Sequence, residues 1–162
     1  MAIRHVSETP ATAMLRARGI DFSEHAYDYV DHGGTAESAR QLGLDEHAVV
    51  KTLVMQDEAG KPLIVLMHGD CRLAGGDGLA CGLAGQILGR DLAVAQRHTG
   101  FQVGGTSPFG VRKAMPIYVE HTVLALPRLY INGGRRGYLV GIAPQVLIDL
   151  LQATAVHCAL LE

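Results

Sequence analysis

The stretch VVKTLVMQDEAGKPLIVLMH, residues 49–68, predicts the centre of a β-sheet. Two runs rich in β-branched and other apolar residues, 49–55 and 62–68, flank the polar segment 56–61. Two such runs joined by a short polar segment that contains glycine are typical of a β-hairpin, here with Gly60 in the turn. The chain is therefore expected to be built around an antiparallel pair of strands.

A lysine interrupts the first of these strands. Side-chain alternation places Lys51 on the same face as its apolar neighbours Val49 and Leu53. Lysine is almost never fully buried without a partner. Lys51 therefore either extends its charged end to solvent or lies in a pocket that uses the charge, and the residues alone leave both interpretations open.

Two helices and a strand are predicted before the hairpin. Capping and periodicity indicate one helix from the Thr9–Pro10 pair to a stop at Gly19, and another from Thr35 to Gly43. Between them, residues 22–30, FSEHAYDYV, predict a strand. Three of its residues are expected on one face: His25, Tyr27 and Tyr29.

Further strands are predicted after the hairpin. Residues 114–120, AMPIYVE, predict one strand, and residues 128–142, RLYINGGRRGYLVGI, predict a second hairpin with Asn132-Gly133 in a tight turn of positive φ. Pro144 begins a helix, and residues 155–161, AVHCALL, predict a closing strand. Because strands outnumber helices and are often joined as hairpins, we expect an α+β domain with a mixed, strongly twisted sheet.

Composition limits the classes of protein that fit. The chain has 162 residues, 48% of them apolar, which predicts one domain over residues 1–162. A formal net charge of −2 argues against an extended basic surface for nucleic acid, so such a partner would be held locally. The three cysteines show no paired spacing and the sequence has no secretory signal pattern, so we expect a protein of the reduced cytosol. It also has no long apolar run, so we expect a soluble protein.

The segment QVGGTSPFGVRK, residues 102–113, is a candidate binding loop. It matches neither the P-loop pattern nor the Rossmann glycine pattern, since the clear segment that follows it is a strand. The backbone N–H groups of Gly104 and Gly105 could approach a ligand and form an oxyanion hole, and Pro108 would restrict the loop. An ordinary tight turn explains the same residues.

Familiar catalytic and metal-binding patterns are missing from the sequence. It has no Ser-His-Asp order and no G-x-S-x-G motif. Eight histidines suggest a metal, but none forms H-E-x-x-H, and His68 near Asp70 and Cys71 is too weak a cluster to indicate a zinc site. We expect no metal and no cofactor, and interpret His25 and His98 as structural.

Three blocks resemble the signature blocks of the YbaK family of aminoacyl-tRNA editing domains, in family order: residues 49–55, 97–120 and 130–144. The resemblance implies a mixed sheet curled into a partial barrel with flanking helices. It also implies hydrolysis of a wrongly attached amino acid from tRNA, most typically cysteine from the proline tRNA, often beside prolyl-tRNA synthetase. In the cysteine-specific branch, the thiol of the substrate is thought to attack its own carbonyl.

The same resemblance assigns roles to individual residues. Lys51 matches the essential lysine of the family, and Gly104 and Gly105 would hold the oxyanion. The residues implied to bind substrate are Tyr27, Thr52, Thr106, Ser107, Pro108, Gly110, Lys113, Gly133, Gly134, Arg135 and Arg136. Leu139 stands where some members carry an aspartate, so no role of that carboxylate is transferred.

Residues 71–96 are atypical for the family, which usually has a helix bearing arginine and lysine there. This segment has six glycines and no lysine, and glycine weakens helices. A compensated pair of frameshifts is one hypothesis for its origin. Two other functions stay open: a deacylase for another small residue such as alanine on tRNA(Pro), or a non-catalytic module that binds a synthetase or tRNA.

Overall fold

The computed structural model of the chain describes residues 8–57, 59–73, 87–89, 99–102 and 104–161. The α-helices are α1 (Pro10–Ala17), α2 (Gly34–Leu42) and α3 (Gln145–Asp149), and 3-10 helices span Glu46–Ala48 and His121–Ala125. The strands are β1 (Ser23–Ala26), β2 (Val49–Asp57), β3 (Pro62–His68), β4 (Cys71–Leu73), β5 (Ile87–Gly89), β6 (Ile117–Glu120), β7 (Leu129–Asn132), β8 (Tyr138–Ile142), β9 (Thr154–Val156) and β10 (Ala159–Leu161).

Most of the described strands form one mixed sheet in the order β1-β8-β7-β2-β3-β6-β9, with β5 paired to the end of β2. The predicted hairpin, β2 with β3, lies at its centre and is antiparallel. Strand β2 also pairs with β7, and β3 with β6, both in parallel. The α+β class with a mixed sheet is thus confirmed; the sheet is not closed into a full barrel.

Apolar side chains cover both faces of the central hairpin. On one face, Val50 and Val54 of β2 join the main core, which also includes Leu15 of α1 and Leu147 of α3. On the other face, a second cluster contains Leu63, Val65 and Met67 of β3 with partly buried residues of β2 packed against it. The alternation expected along the first strand is therefore present, and burial of both faces holds β2 in a single register.

The predicted helix boundaries are close to the observed ones. Thr9 caps α1, and its hydroxyl oxygen accepts a hydrogen bond from the Thr12 N–H at 3.0 Å. Helix α2 begins at Gly34, one residue before the predicted Thr35, and ends at Leu42, followed by the C-cap residue Gly43, whose φ is 68°. Helix α3 follows Pro144 directly. Local capping signals were sufficient here because each acts within one turn of helix.

Two expectations about the second hairpin and the early strand were wrong. Strand β1 ends at Ala26, short of the predicted Val30. One further hydrogen bond, from the Tyr27 N–H to the Gly137 carbonyl, follows the register of β1 with β8, and no strand is assigned between it and α2. The hairpin between β7 and β8 has a five-residue connection, 133–137, instead of a tight Asn132-Gly133 turn. Its positive φ values fall at Gly134 and Gly137.

The predicted closing strand is instead two short strands in different sheets. Strand β9 pairs with β6, whereas β10 pairs with β4 in a separate two-stranded sheet. The backbone N–H groups of Cys158, which lies between the two strands, and of Ala159, the first residue of β10, donate to the buried Glu120 carboxylate. Of the atypical segment 71–96, β4 and β5 are described, and the rest lies outside the described residues. No helix in the described ranges is long and apolar enough to cross a membrane.

Candidate functional site

A cleft of about 460 Å³ opens beside the central strand β2. Its walls are the connection from β1 to α2, the start of α2, strand β2, the loop around Gly104 and the end of the β7–β8 hairpin. Of the site residues predicted from sequence, it brings together six: Tyr27, Lys51, Thr52, Gly104, Thr106 and Arg136. Segments that are distant in the chain therefore meet at one concave surface.

Lys51 lies in the wall that β2 contributes to this cleft. The side chain is half-buried, and its Nζ lies 3.5 Å from the carbonyl oxygen of Gly69. The hydroxyl of Thr35, which also lines the cleft, lies 3.2 Å from the same carbonyl. Of the two interpretations of this lysine, the geometry favours the pocket, because Lys51 is half-buried and lines the cleft.

Gly104 also lines the cleft and is held by a side chain. Its carbonyl accepts a hydrogen bond of 3.2 Å from the Asn132 amide, and Asn132 Oδ1 accepts one of 2.7 Å from the Gly134 N–H. Gly104 has a φ of 88°, and a Cβ there would lie 2.8 Å from the Tyr29 hydroxyl. Only glycine meets both conditions without strain, so the bare backbone of this loop has a structural cause.

Gly105 does not serve as the expected oxyanion donor in this geometry. Its N–H donates to the Gln102 carbonyl at 2.8 Å. A Cβ at Gly105 would lie 2.8 Å from the backbone of Arg135 and Arg136. Gly105 therefore allows the loop to pack on the β7–β8 hairpin, and its amide is used within the loop.

The remaining loop residues predicted to bind substrate are packing residues. Ser107 is fully buried, and its hydroxyl accepts a hydrogen bond from the Phe109 N–H. Pro108 is buried as well, and a Cβ at Gly110 would lie 2.5 Å from the Pro10 carbonyl oxygen. These residues anchor the loop in the core and on α1, and they lie outside the cleft lining.

The hairpin connection contributes one of its two arginines to the cleft. Arg136 lines the cleft and lies with its Cζ 4.7 Å from the Tyr29 ring centre, whereas Arg135 is exposed and lies over the Tyr138 ring. Gly133 and Gly134 pack against Tyr138 and against Thr9 and Phe101. Lys113 is exposed and outside the lining.

Burial affects two polar side chains of the cleft, Tyr27 and Thr52. Burial raises the pKa of Tyr27, so its hydroxyl remains protonated at neutral pH and can donate a hydrogen bond. Within the described residues, Thr52 Oγ1 is a buried side-chain oxygen that lacks a hydrogen-bond partner. Leu139, at the position of a family aspartate, is buried and contributes an apolar surface to the cleft.

Sequence reasoning missed several cleft residues, chiefly Tyr29, Asn132 and Thr35. Tyr29 was placed on the face of a strand, and Asn132 was interpreted as a turn residue. Asn132 directly precedes the family motif around Gly133, and this position could have indicated that Asn132 lies at the cleft. Tyr29 meets Arg136 only through the tertiary arrangement.

The histidine cluster differs from the one considered on sequence. His47, rather than His68, lies with Asp70 and Cys71, and their potential ligand atoms are within 4.8 Å of one another. His47 Nδ1 lies 2.8 Å from the Asp70 carboxylate, and the rings of His47 and His68 stack at 3.7 Å. Burial raises the pKa of the Cys71 thiol to about 11. His25 lies against Tyr130 and Ser23, whereas His98 is outside the described residues.

The cleft combines a cation, peptide groups and hydroxyls, which suits the positioning of an activated ester. Lys51 supplies the charge, Gly104 supplies exposed backbone, and Thr106 supplies a hydroxyl. Such groups stabilise negative charge that develops on an ester oxygen. The site therefore has the features of an acyl-ester hydrolase that binds and orients its substrate.

The family model described as the aminoacyl-tRNA editing domain matches residues 32–150, and the chain belongs to this family. The match includes Lys51, the loop at Gly104 and the hairpin with Arg136. The expected editing family and its editing-enzyme class are confirmed.

Individual relatives agree with the family. EbsC of Enterococcus faecalis, named as a candidate Cys-tRNA(Pro)/Cys-tRNA(Cys) deacylase, is 24% identical over 144 residues, which is 88% of each chain. The crystal structure of a hypothetical protein superposes with a TM-score of 0.82 at 26% identity and covers 93% of this chain and 99% of its own. That of a candidate trans-editing enzyme for prolyl-tRNA synthetase has a TM-score of 0.76 at 24% identity, covering 94% and 98%.

Proposed function

We propose that this chain is a deacylase that removes cysteine from mischarged tRNA, with Cys-tRNA(Pro) as the main substrate. The observation that carries the proposal is the meeting of Lys51 and Gly104 in one cleft of a chain from the editing family. The name of the Enterococcus faecalis relative supports cysteine as the amino acid. The cleft volume of about 460 Å³ falls in the usual range for small-molecule sites.

Lys51 would bind the terminal ribose or phosphate of the tRNA, or offset negative charge that develops on the ester. Its Nζ lies 3.5 Å from the Gly69 carbonyl oxygen at the cleft wall, and an ammonium group carries three hydrogen-bond donors. Of the two glycines first considered for the oxyanion, Gly104 is the better donor, since the Gly105 N–H is bonded to Gln102. Thr106 and Tyr27 would orient the substrate through their hydroxyls.

The chemistry we propose is assisted by the substrate. The cysteine sulfur attacks its own carbonyl carbon, so that a carbon–sulfur bond forms and the ester carbon–oxygen bond breaks. The thiol proton is transferred to the leaving ribose oxygen, which becomes a hydroxyl. The products are free tRNA and a cyclic thioester, which water then opens to cysteine. The protein contributes orientation and charge stabilisation, as the cleft is built to do.

The proposed partners are the acceptor end of the mischarged tRNA and prolyl-tRNA synthetase. Arg136 at the cleft wall, with the exposed Arg135 and Lys113 outside it, would contribute positive charge near the RNA backbone. The reaction belongs in the cytoplasm, where tRNA is charged. The described cysteines, Cys71 and Cys158, are free thiols, as that compartment favours.

The deciding experiment measures single-turnover deacylation of a panel of tRNAs charged with cysteine, alanine or proline. We expect the wild-type chain to release cysteine fastest. Lys51→Ala should fold, and its rate should fall roughly a hundredfold, because a positioned cation near developing charge contributes about 3 kcal/mol. The matched control is Lys61→Ala, which removes an exposed lysine from the turn of the same hairpin and should react like wild type.

Thermal unfolding of the same variants separates function from folding. Lys51→Ala should keep or raise the melting temperature, because the variant no longer has a charge whose partial desolvation destabilises the folded state. Preferred release of alanine would reassign the substrate, and no release from any charged tRNA would favour a binding module. A Lys51→Ala variant that melts several degrees lower yet reacts normally would show that the lysine is catalytically idle.

A further inference from the structure

Two large apolar residues are exposed at the edge of the cleft. Tyr29 and Val30 are 36% and 47% exposed, and they are the large apolar residues of the described ranges that reach this degree of exposure. Both line the cleft. Exposed apolar surface concentrated at one place, beside a polar site, often marks a contact with a ligand.

A cation lies over the aromatic ring at this edge. The guanidinium carbon of Arg136 is 4.7 Å from the centre of the Tyr29 ring. An aromatic ring and a guanidinium plane are the two protein groups on which unpaired nucleobases most often stack. Tyr29 and Arg136 together thus present the chemistry of a base-stacking surface, and we call this pair the stacking platform.

The stacking platform is fixed by its backbone. The Asp28 N–H donates to Gln41 Oε1 of α2, and Gln41 Nε2 donates back to the Asp28 carbonyl, both at 2.8 Å. The Val30 carbonyl accepts a hydrogen bond from the Gly33 N–H, which closes the turn that follows. Gly104 lies so close to the Tyr29 hydroxyl that a Cβ would overlap it. A platform held in this way loses little conformational entropy on binding.

We propose that Tyr29, with Arg136 beside it, binds the adenine base at the 3′ end of the tRNA by stacking. This inference rests on the proposed function and adds to it a subsite for the base. The aminoacyl ester is carried by the ribose of that same adenosine, and the 3′ end is single-stranded, so its bases are free to stack. With the base on the platform, the attached ribose and ester lie next to the cleft that contains Lys51.

The alternative place for Tyr29 is against the side chain of the bound amino acid. Its exposure and its contact with a cation argue for the base, because a small cysteine side chain needs a closed apolar pocket. Leu139, which is buried in the cleft wall, provides such a surface deeper in the site. The two placements differ in what happens when the base is removed from the RNA.

The first measurement uses an uncharged acceptor-stem RNA hairpin whose 3′-terminal adenine is replaced by 2-aminopurine. Stacking quenches the fluorescence of this base, so we expect quenching by wild type at low salt. Tyr29→Phe keeps the ring and should quench equally. Tyr29→Leu keeps apolar bulk without the aromatic face, so it should quench little and bind about tenfold more weakly. Equal quenching by Tyr29→Leu would overturn the proposal.

A thermodynamic cycle completes the test with an RNA whose last nucleotide lacks its base. Removal of the base should weaken binding by wild type about tenfold. The same removal should hardly weaken binding by Tyr29→Leu, because this variant already lacks the ring on which the base would stack. Additive losses would overturn the stacking contact and favour the amino-acid placement. Deacylation of Cys-tRNA(Pro) by wild type is scored separately, so failure of the proposed function and failure of this subsite give different results.

Discussion

At the scale of single residues, the cleft depends on Gly104 because glycine has no side chain. Its φ of 88° is in the region that favours glycine, and the space where a Cβ would lie is occupied by Tyr29. Its carbonyl is held by Asn132 from the second hairpin. One glycine therefore joins the loop, the stacking platform and the hairpin at the cleft.

Substitution of this glycine gives a prediction with an internal control. Gly104→Ala and Gly60→Ala both place alanine at a positive φ, 88° and 77°, but only the first meets another atom within 4 Å. Gly60→Ala should cost about 1 kcal/mol of stability and leave deacylation unchanged. Gly104→Ala should cost at least as much and reduce deacylation at least tenfold, as measured by chemical denaturation and single-turnover rates. Equal activity of the two variants would contradict this.

At the scale of elements, Glu120 joins the end of β6 to the chain between β9 and β10. Glu120 is 2% exposed, and one carboxylate oxygen accepts hydrogen bonds from the Cys158 and Ala159 N–H groups. The other accepts from the backbone and hydroxyl of Thr122. Burial raises the pKa of Glu120, but these hydrogen bonds outweigh it and lower the pKa to about 2.

This lowered pKa predicts how stability changes in acid. The folded pKa of about 2 lies below the unfolded value of 4.5, so the unfolded state binds more protons between them. The contribution of Glu120, on the order of 3 kcal/mol, is complete above about pH 4.5 and is lost as the pH falls towards 2. Urea unfolding from pH 7 to 2.5 measures it.

The matched variants are Glu120→Gln and Asp21→Asn, the latter at an exposed carboxylate. Glu120→Gln should be less stable at pH 7 by about 3 kcal/mol, and its stability should vary less with pH below 4.5. Asp21→Asn should follow wild type throughout. If Glu120→Gln lost stability in acid as steeply as wild type, another group would be responsible.

At the scale of the whole molecule, net charge limits how the chain binds tRNA. The formal charge is −2, so the attraction to RNA is local and rests on a few cations such as Arg136 at the cleft. We therefore expect weak binding of tRNA(Pro) by the isolated chain, with steep loss as salt is raised. Prolyl-tRNA synthetase should tighten binding by adding a second surface.

Binding isotherms at several salt concentrations, with and without the synthetase, test this expectation. The control is a synthetase from an unrelated amino acid, which should not tighten binding. Nanomolar binding by the chain alone that is insensitive to salt would show a larger RNA surface than the charge suggests. A single domain over residues 1–162 also stays a prediction, which limited proteolysis would examine.

Much of the fold could be predicted because its signals are local. Alternation along β2 and β3, the polar turn at Gly60 and the caps at Thr9 and Gly43 each depend on a few neighbouring residues. The division of residues 155–161 into two strands could not be predicted. There the Glu120 carboxylate, which is distant in sequence, accepts hydrogen bonds from the N–H groups of Cys158 and of Ala159, the first residue of β10.

By itself the sequence determined the α+β class, the central hairpin and the motif residues Lys51, Gly104 and Arg136, because alternation, turn chemistry and family blocks are written along the chain. Only the tertiary structure decided which motif residues face the cleft. Ser107 and Pro108 share the loop with Gly104, yet they turn into the core, since a short loop must bury some side chains to hold the others in place. Tyr29 joined the site for the complementary reason: side chains far apart in sequence meet only where packing brings their segments together.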